Sequence, residues 1–290
     1  VVGFDGSPAS YEALDWGAAT AAARVLPLTL LAARPDAAAP VIELADAEEE
    51  GLISQEMSAT LADAQSRAAQ AHPGLTVTTV IHPDSPVEGL LHASTTADLI
   101  VIGSRGLGGF AGLLIGSTAM NLAPYADCPV VVQYVPDEET VAARKSARHP
   151  NEVVVAFDGS HFAERALVFG LRHAQASGLG VAVVYVTPGS AAGPPEPIEP
   201  DSPELSEEAR EDLAAAVRIT DRHANVPVTF LHGVGRPAGV LIKEASGSPL
   251  AVVGARGRGG FAQLMLGSVG LQMLIHAECP VALVRNLPPE

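Results

Sequence analysis

Two stretches carry residues that could do chemistry. Gly103-Ser104-Arg105-Gly106-Leu107-Gly108-Gly109 is followed by Gly116-Ser117-Thr118. Gly254-Ala255-Arg256-Gly257-Arg258-Gly259-Gly260 is followed by Gly267-Ser268-Val269. Each stretch combines glycines, an arginine and a serine at one fixed spacing. Glycines at 103, 106, 108 and 109 would let the backbone turn inward, where needed through φ > 0, and approach a phosphate with no Cβ in the way. A Gly-Ser pair opening a helix would add exposed N–H groups, the positive end of the helix dipole and a hydroxyl. Arg105 and Arg256 bring positive charge into an acidic chain of net charge −16. One copy would be explained almost as well by a plain glycine-rich surface loop. Two copies favour anion binding.

The elements that must position these residues also occur twice. "VVGFDGS" (1–7) returns as "VVAFDGS" (154–160), "DLIVIGSRGLGGF" (98–110) as "PLAVVGARGRGGF" (249–261), and "ADCPVVVQYV" (126–135) as "AECPVALVRN" (277–286). The offsets are 153, 151 and 151, which is too long for a solenoid period and indicates one duplicated domain. The predicted boundaries are 1–136 for the first domain, 137–150 for a polar linker ending in Pro150, and 151–290 for the second. In the first half, strands are expected near 1–4, 28–33, 76–81, 98–103 and 129–134. Helices are expected near 8–24, 48–71, 86–96 and 117–126. The second half repeats the pattern. Its strands fall near 152–157, 180–186, 227–232, 249–254 and 280–285, its helices near 161–176, 204–223, 237–246 and 268–277. The strands are continuous apolar runs, as suits strands covered on both faces. Strands alternating with helices imply right-handed βαβ units and a parallel sheet. The glycine stretches follow the fourth strand of each half, so they lie on the carboxyl edge, where doubly wound sheets bind ligands.

Other glycine motifs fail on their surroundings. A Walker A loop needs Gly-Lys-Ser/Thr, and neither stretch contains a lysine. A G-x-G-x-x-A fingerprint occurs at Gly106, Gly108 and Ala111 and again at Gly257, Gly259 and Ala262, with Asp127 and Glu278 about 20 residues on. That fingerprint belongs after the first strand; these copies follow the fourth, and the acids precede the fifth. A kinase loop lacks its downstream catalytic residues.

The pattern Gly-x2-Gly-x9-Gly-Ser, present at Gly103/Gly106/Gly116-Ser117 and at Gly254/Gly257/Gly267-Ser268, resembles the nucleotide-binding signature of the universal stress protein family. A first strand ending in "FDGS" and a last strand introduced by "CPV" agree with it. The resemblance covers nearly the whole chain, twice. It implies an α/β fold of two tandem doubly wound, Rossmann-like domains, each a five-stranded parallel sheet of order 3-2-1-4-5. It implies ATP, with Mg where metal is needed, at one site per domain. Asp5 and Asp158 match the acid near the adenosine, Gly3-Phe4 and Ala156-Phe157 the backbone along the base, the paired glycines the ribose and phosphate contacts, and Gly116-Ser117-Thr118 and Gly267-Ser268-Val269 the phosphate-binding helix start. It also implies an intrachain pairing of the two domains through their last strands and a homodimer of chains. From the residues alone, Asp5 suits hydrogen bonds from ribose hydroxyls or an adenine amine, and it equally suits a turn that caps the next helix.

The remaining signals bound the function. The net charge argues against nucleic acid as the main partner. No apolar run approaches the ~20 residues that span a bilayer, and no signal peptide opens the chain; the reading is of a soluble cytoplasmic protein, with room for a short leader because the chain does not start with methionine. Cys128 and Cys279 read as small buried hydrophobes. The histidines show no metal spacing, and His82 and His232 are expected at the rim of the cleft. The acidic segments 43–50 and 196–212 read as solvated surface, the second as a proline-rich loop. With Arg and Ser but no acid or histidine expected beside the Gly-Ser turn, no catalytic residue is assigned; the expectation is a nucleotide-dependent stress or regulatory protein, with a slow ATPase as the alternative. The second site is expected to bind more tightly, because Gly235-Arg236-Pro237-Ala238 stands where the first half has Asp84-Ser85-Pro86-Val87.

Overall fold

The computed structural model describes residues 1–33, 47–107, 115–190, 193–258 and 265–287. The first half runs β1 (Val2–Gly3), α1 (Pro8–Ala23), β2 (Leu28–Ala33), α2 (Ala47–Ala71), β3 (Val77–His82), α3 (Pro86–Ser94), β4 (Ile100–Gly103), α4 (Ser117–Leu122) and β5 (Val130–Gln133). After α5 (Glu138–Lys145), the second half runs β6 (Glu152–Phe157), α6 (His161–Ser177), β7 (Gly180–Pro188), β8 (Glu196–Pro197), α7 (Glu207–Thr220), β9 (Val228–Gly235), α8 (Pro237–Glu244), β10 (Leu250–Gly254), α9 (Ser268–His276) and β11 (Val281–Val284).

The five main strands of each half are parallel in the predicted order 3-2-1-4-5, with β8 added antiparallel at the edge of the second half, and the whole is one sheet ordered β3-β2-β1-β4-β5-β11-β10-β6-β7-β9-β8. β5 and β11 pair antiparallel, with Val131 opposite Ala282. These two residues are one repeat apart, so the two-fold relation of the halves passes through this pair. Successive residues of the last strands point to opposite faces. Val131 and Ala282 join the core under α1, α2, α6 and α7, while Val130, Val132, Val281 and Leu283 join the core under α3, α4, α8 and α9. Each core layer therefore runs across both halves.

Two features differ from the sequence reading. The polar linker contains α5, started by Asp137, whose carboxylate accepts from the Thr140 N–H at 2.8 Å, and ended by Arg144 and Lys145, charges that suit a helix C-terminus. Its end is docked. Buried His149 sits between Glu152 and Glu244, 2.8 Å from each, and Arg148 lies 3.2 Å from Glu244. The acidic proline-rich segment is also more than a loop. Within it β8 pairs antiparallel with β9, and Ile198 packs on the core.

Candidate functional site

The turn after the first strand of each half is built by its own side chains. The Asp5 carboxylate accepts from the Ser7 N–H at 3.0 Å, and Asp158 accepts from Ser160 at the same distance. The serines then cap α1 and α6, accepting from Ser10 and Ala163 N–H at 3.2 Å. Gly6 and Gly159 between them have φ of +80° and +72°, a region that favours glycine.

The second oxygen of each aspartate reaches the glycine stretch. Asp5 Oδ2 accepts from Leu107 N–H at 3.0 Å, and Asp158 Oδ2 accepts from Arg258 N–H at 3.1 Å. The carboxylate is thus a clamp between the first strand and the loop that follows the fourth. At its far end the loop is pinched shut, with Gly116 N–H donating to Ser104 C=O at 2.6 Å and Gly267 N–H to Ala255 C=O at 2.7 Å. There it turns into α4 and α9, whose first residues, Ser117 and Ser268, are exposed. Gly116 and Gly267 have no side chain to cap these helices, so the first-turn N–H groups face outward.

The glycine spacing has a steric explanation that differs from the expected one. A Cβ on Gly103 would lie 2.6 Å from the Ala9 backbone carbon, and one on Gly254 would lie 2.8 Å from that of Phe162. These glycines let the fourth strand pass against the start of the helix after the first. A Cβ on Gly106 or Gly257 would overlap the clamp oxygen of Asp5 or Asp158. None of the four has a positive φ; what they need is room.

The structure brings Gly3-Phe4-Asp5, Gly103 through Leu107 and Gly116-Ser117-Thr118 to one carboxyl edge, and likewise Ala156-Phe157-Asp158, Gly254 through Arg258 and Gly267-Ser268-Val269. Gly108, Gly109, Gly259 and Gly260 lie outside the described residues, as do Ala111 and Ala262. Phe4 and Phe157 are buried, so only their backbone faces the cleft. Arg105 is exposed, and Arg256 lies over the Phe162 ring at 5.8 Å. His82 Nδ1 accepts from the Asp84 N–H, and His232 Nε2 is 2.9 Å from the Thr187 hydroxyl. Glu278 accepts from the Ser246 hydroxyl on the opposite edge, far from any dinucleotide role.

The halves diverge above the clamp. In the second, the Arg258 side chain crosses to α7 and meets Glu208 at 2.6 Å and Asp212. Asp212 also accepts from the Tyr185 hydroxyl at 3.0 Å. Burial pushes the Asp212 carboxyl above its usual range, with Tyr185 and Arg258 pulling the other way. Burial and the Asp212 charge push Tyr185 up to about 12. The first half carries Leu107, Thr60 and Ala32 at these places and has no such strap. Thr60 there packs on Gly6 as Asp212 does on Gly159. Asp212 and Tyr185 were not singled out from the sequence. The signal was Glu208 and Asp212 at i and i+4 on one helix face, inside a segment read as solvated. Burial also pushes both cysteine thiols up to about 12, Cys128 and Cys279 alike, which leaves them inert as nucleophiles. Among the described residues no cluster of His, Cys, Asp or Glu could hold a metal ion, and no helix is long and apolar enough to cross a membrane.

A profile of the universal stress protein family matches residues 1–133 and 150–285. The chain belongs to the universal stress protein family. It is similar to a universal stress protein of Mycolicibacterium smegmatis, 33% identical over 294 residues that cover 98% of this chain and 96% of the relative. A Mycobacterium tuberculosis universal stress protein is 32% identical over 297 residues, covering 99% and 96%. Among solved structures, a universal stress protein from Archaeoglobus fulgidus superimposes with a TM-score of 0.71 at 19% identity, covering 98% of this chain and 97% of that one. The likeness at that identity concerns the fold. The profile matches in two successive segments and both relatives align over nearly their whole length, so the universal stress protein unit is present twice, in tandem.

Proposed function

We propose that this protein holds one nucleotide, ATP, in each half, at the carboxyl edge between the first and fourth strands, and that the nucleotide state sets its shape or partner in a stress or regulatory response. The observation that carries this reading is the duplicated frame. A loop clamped by Asp5 or Asp158 closes on itself and delivers a helix whose N–H groups have no side-chain cap. Uncapped N–H groups at a helix start, beside Arg105 or Arg256, suit a polyphosphate. The Phe4 and Phe157 backbones and the outer lone pairs of the clamping carboxylates suit a nucleoside, and any Mg would ride on the phosphates. The antiparallel β5–β11 seam supports the two halves working as one intrachain pair. Titration calorimetry of nucleotide-stripped protein with ATP tests this. A stoichiometry near two is expected, and folded protein that takes up no nucleotide overturns the reading.

A further inference from the structure

The seam between the halves leaves two crevices related by the repeat, and they are filled unequally. Beside Phe169 and Asp98 the space is about 10 Å³, closed by Arg172, His173 and Leu287. At the corresponding place, beside Trp16 and Pro249, the cavity is about 430 Å³, within the size range of small-molecule sites at domain interfaces. Its walls come from α1, the end of β5, α5 and the segments before β10 and β11.

The decisive residue is Gln133, the last of β5. Only 4% of it is exposed, and its Nε2 has no hydrogen-bond partner among the described residues. A buried amide left unpaired costs about 1–3 kcal/mol. The repeat shows that the position does not demand it, since the counterpart in β11 is Val284, fully buried in the core. Gln133 lines the cavity, and a costly donor shielded in its wall fits a site whose ligand supplies an acceptor. Arg144, in the last turn of α5, lines the same cavity and adds a cation. On the α1 wall, Asp15 is held in a fork by Arg67, with Nε at 2.8 Å, while Glu12 offers a carboxylate. Trp16 is stacked on His173 at 5.1 Å, which fixes the indole. Burial pushes His173 down to about 4, so it stays neutral and does not repel a cation. Pro249 and Pro280 supply apolar walls with no N–H.

We propose that this inter-domain cavity binds a small zwitterion with an apolar side chain, of the free α-amino-acid class. Its carboxylate meets Arg144 and the Gln133 amide, which turns from the wall to reach it, its ammonium meets Glu12, and its side chain lies against Trp16, Pro249 and Pro280. Such a ligand touches the first domain, the linker and the second domain at once, and its binding is independent of the nucleotide reading.

Trp16 is the single tryptophan of the chain, so its fluorescence reports the site directly. The full chain is titrated with L-leucine, with 4-methylpentanoate (leucine without its amine) and with isoamylamine (leucine without its carboxylate). Leucine should give a saturable change, and each truncated probe should bind about tenfold or more weaker, the loss of about 1.4 kcal/mol for one polar contact. Gln133→Val, which installs the residue of the other repeat, and Arg144→Gln, on an exposed helix end, should each weaken leucine by about tenfold. No saturation with leucine, equal binding of 4-methylpentanoate, or unchanged affinity in both variants overturns the proposal. So does a Gln133→Val chain that merely melts higher while leucine leaves Trp16 unaffected in the parent, which would make the amide a water site.

Discussion

Replacing Arg258 by leucine, the residue the first repeat carries at 107, should destabilise the second half far more than loss of an exposed arginine usually does. The guanidinium, 40% exposed, meets two acids of unlike burial: the Glu208 side chain is 73% exposed and that of Asp212 only 7%. The Glu208 arm is solvated and worth about 0.5 kcal/mol at most. The Asp212 arm is different. Without Arg258 a buried carboxylate keeps only the Tyr185 hydroxyl. Breaking a buried pair from one side costs about 3–5 kcal/mol, and the exposure of the guanidinium and the remaining tyrosine bond reduce this to about 2 kcal/mol. Asp212→Thr, the first-repeat residue, removes the buried charge itself and should cost less. The double variant should therefore be more stable than Arg258→Leu alone.

The pH dependence follows from the same burial. Asp212 titrates higher in the folded chain than in the unfolded one. Its contribution to stability is fully present below the ordinary carboxylate value near 4 and is lost as pH rises through the raised folded value. Removing Arg258 raises that value further, so the penalty should be small near pH 4 and complete at pH 7. Urea unfolding at both pH values, with hydrogen exchange over residues 254–258 locating the effect, measures this. A penalty that does not change with pH, or a double variant no better than Arg258→Leu, would refute the account of Asp212 as a buried charge held by this arginine.

Gly257→Val should expel Asp158 from its clamp, leave the fold intact and abolish nucleotide uptake in the second half only; calorimetric stoichiometry falling from two to one checks it. His149 is raised by its hydrogen bonds to Glu244 and Glu152, so its contribution is complete below about pH 6.5 and is lost as pH rises through the higher folded value. His149→Ala should cost about 3 kcal/mol near pH 6 and flatten that limb of the stability–pH curve. Val132→Lys buries an unpaired charge in the seam, and hydrogen exchange should rise in both β5 and β11. With one half disabled by Gly106→Val or Gly257→Val, the surviving second site should hold ATP up to about tenfold more tightly per charge difference, and equal affinities would sink the argument from Asp84 and Arg236.

The strands and the helices they alternate with were legible because buried parallel strands read as uninterrupted apolar runs, and because every signal occurred twice; the sheet order was implied only by the family resemblance. What escaped was set by contacts distant in sequence. β8 is only Glu196–Pro197 inside a proline-rich run; nothing local marks it, and it exists because the β9 edge and the core beneath Ile198 receive it. α5 was hidden because it is short and mostly polar, with only Val141, Ala142 and Ala143 apolar and consecutive, which leaves no apolar periodicity to read. The buried His149–Glu244 pair spans 95 positions, and Gln133 looked like one more residue at the end of a strand.

The glycine signature shows the same limit from the other side. Its two leading positions, read as making way for a ligand, are already required by the protein itself. Gly103 and Gly254 admit a helix backbone, and Gly106 and Gly257 admit the clamping carboxylate. Both aspartates spend an oxygen on the turn and an oxygen on the loop before any ligand arrives. The motif thus encodes loop closure, and closure in turn fixes where the uncapped helix starts and the arginines stand. A loop held by one carboxylate to the strand beneath cannot move without that carboxylate. Any ligand that engages Asp5 or Asp158 is therefore coupled to the glycine loop, and in the second half, through Arg258, to α7 as well.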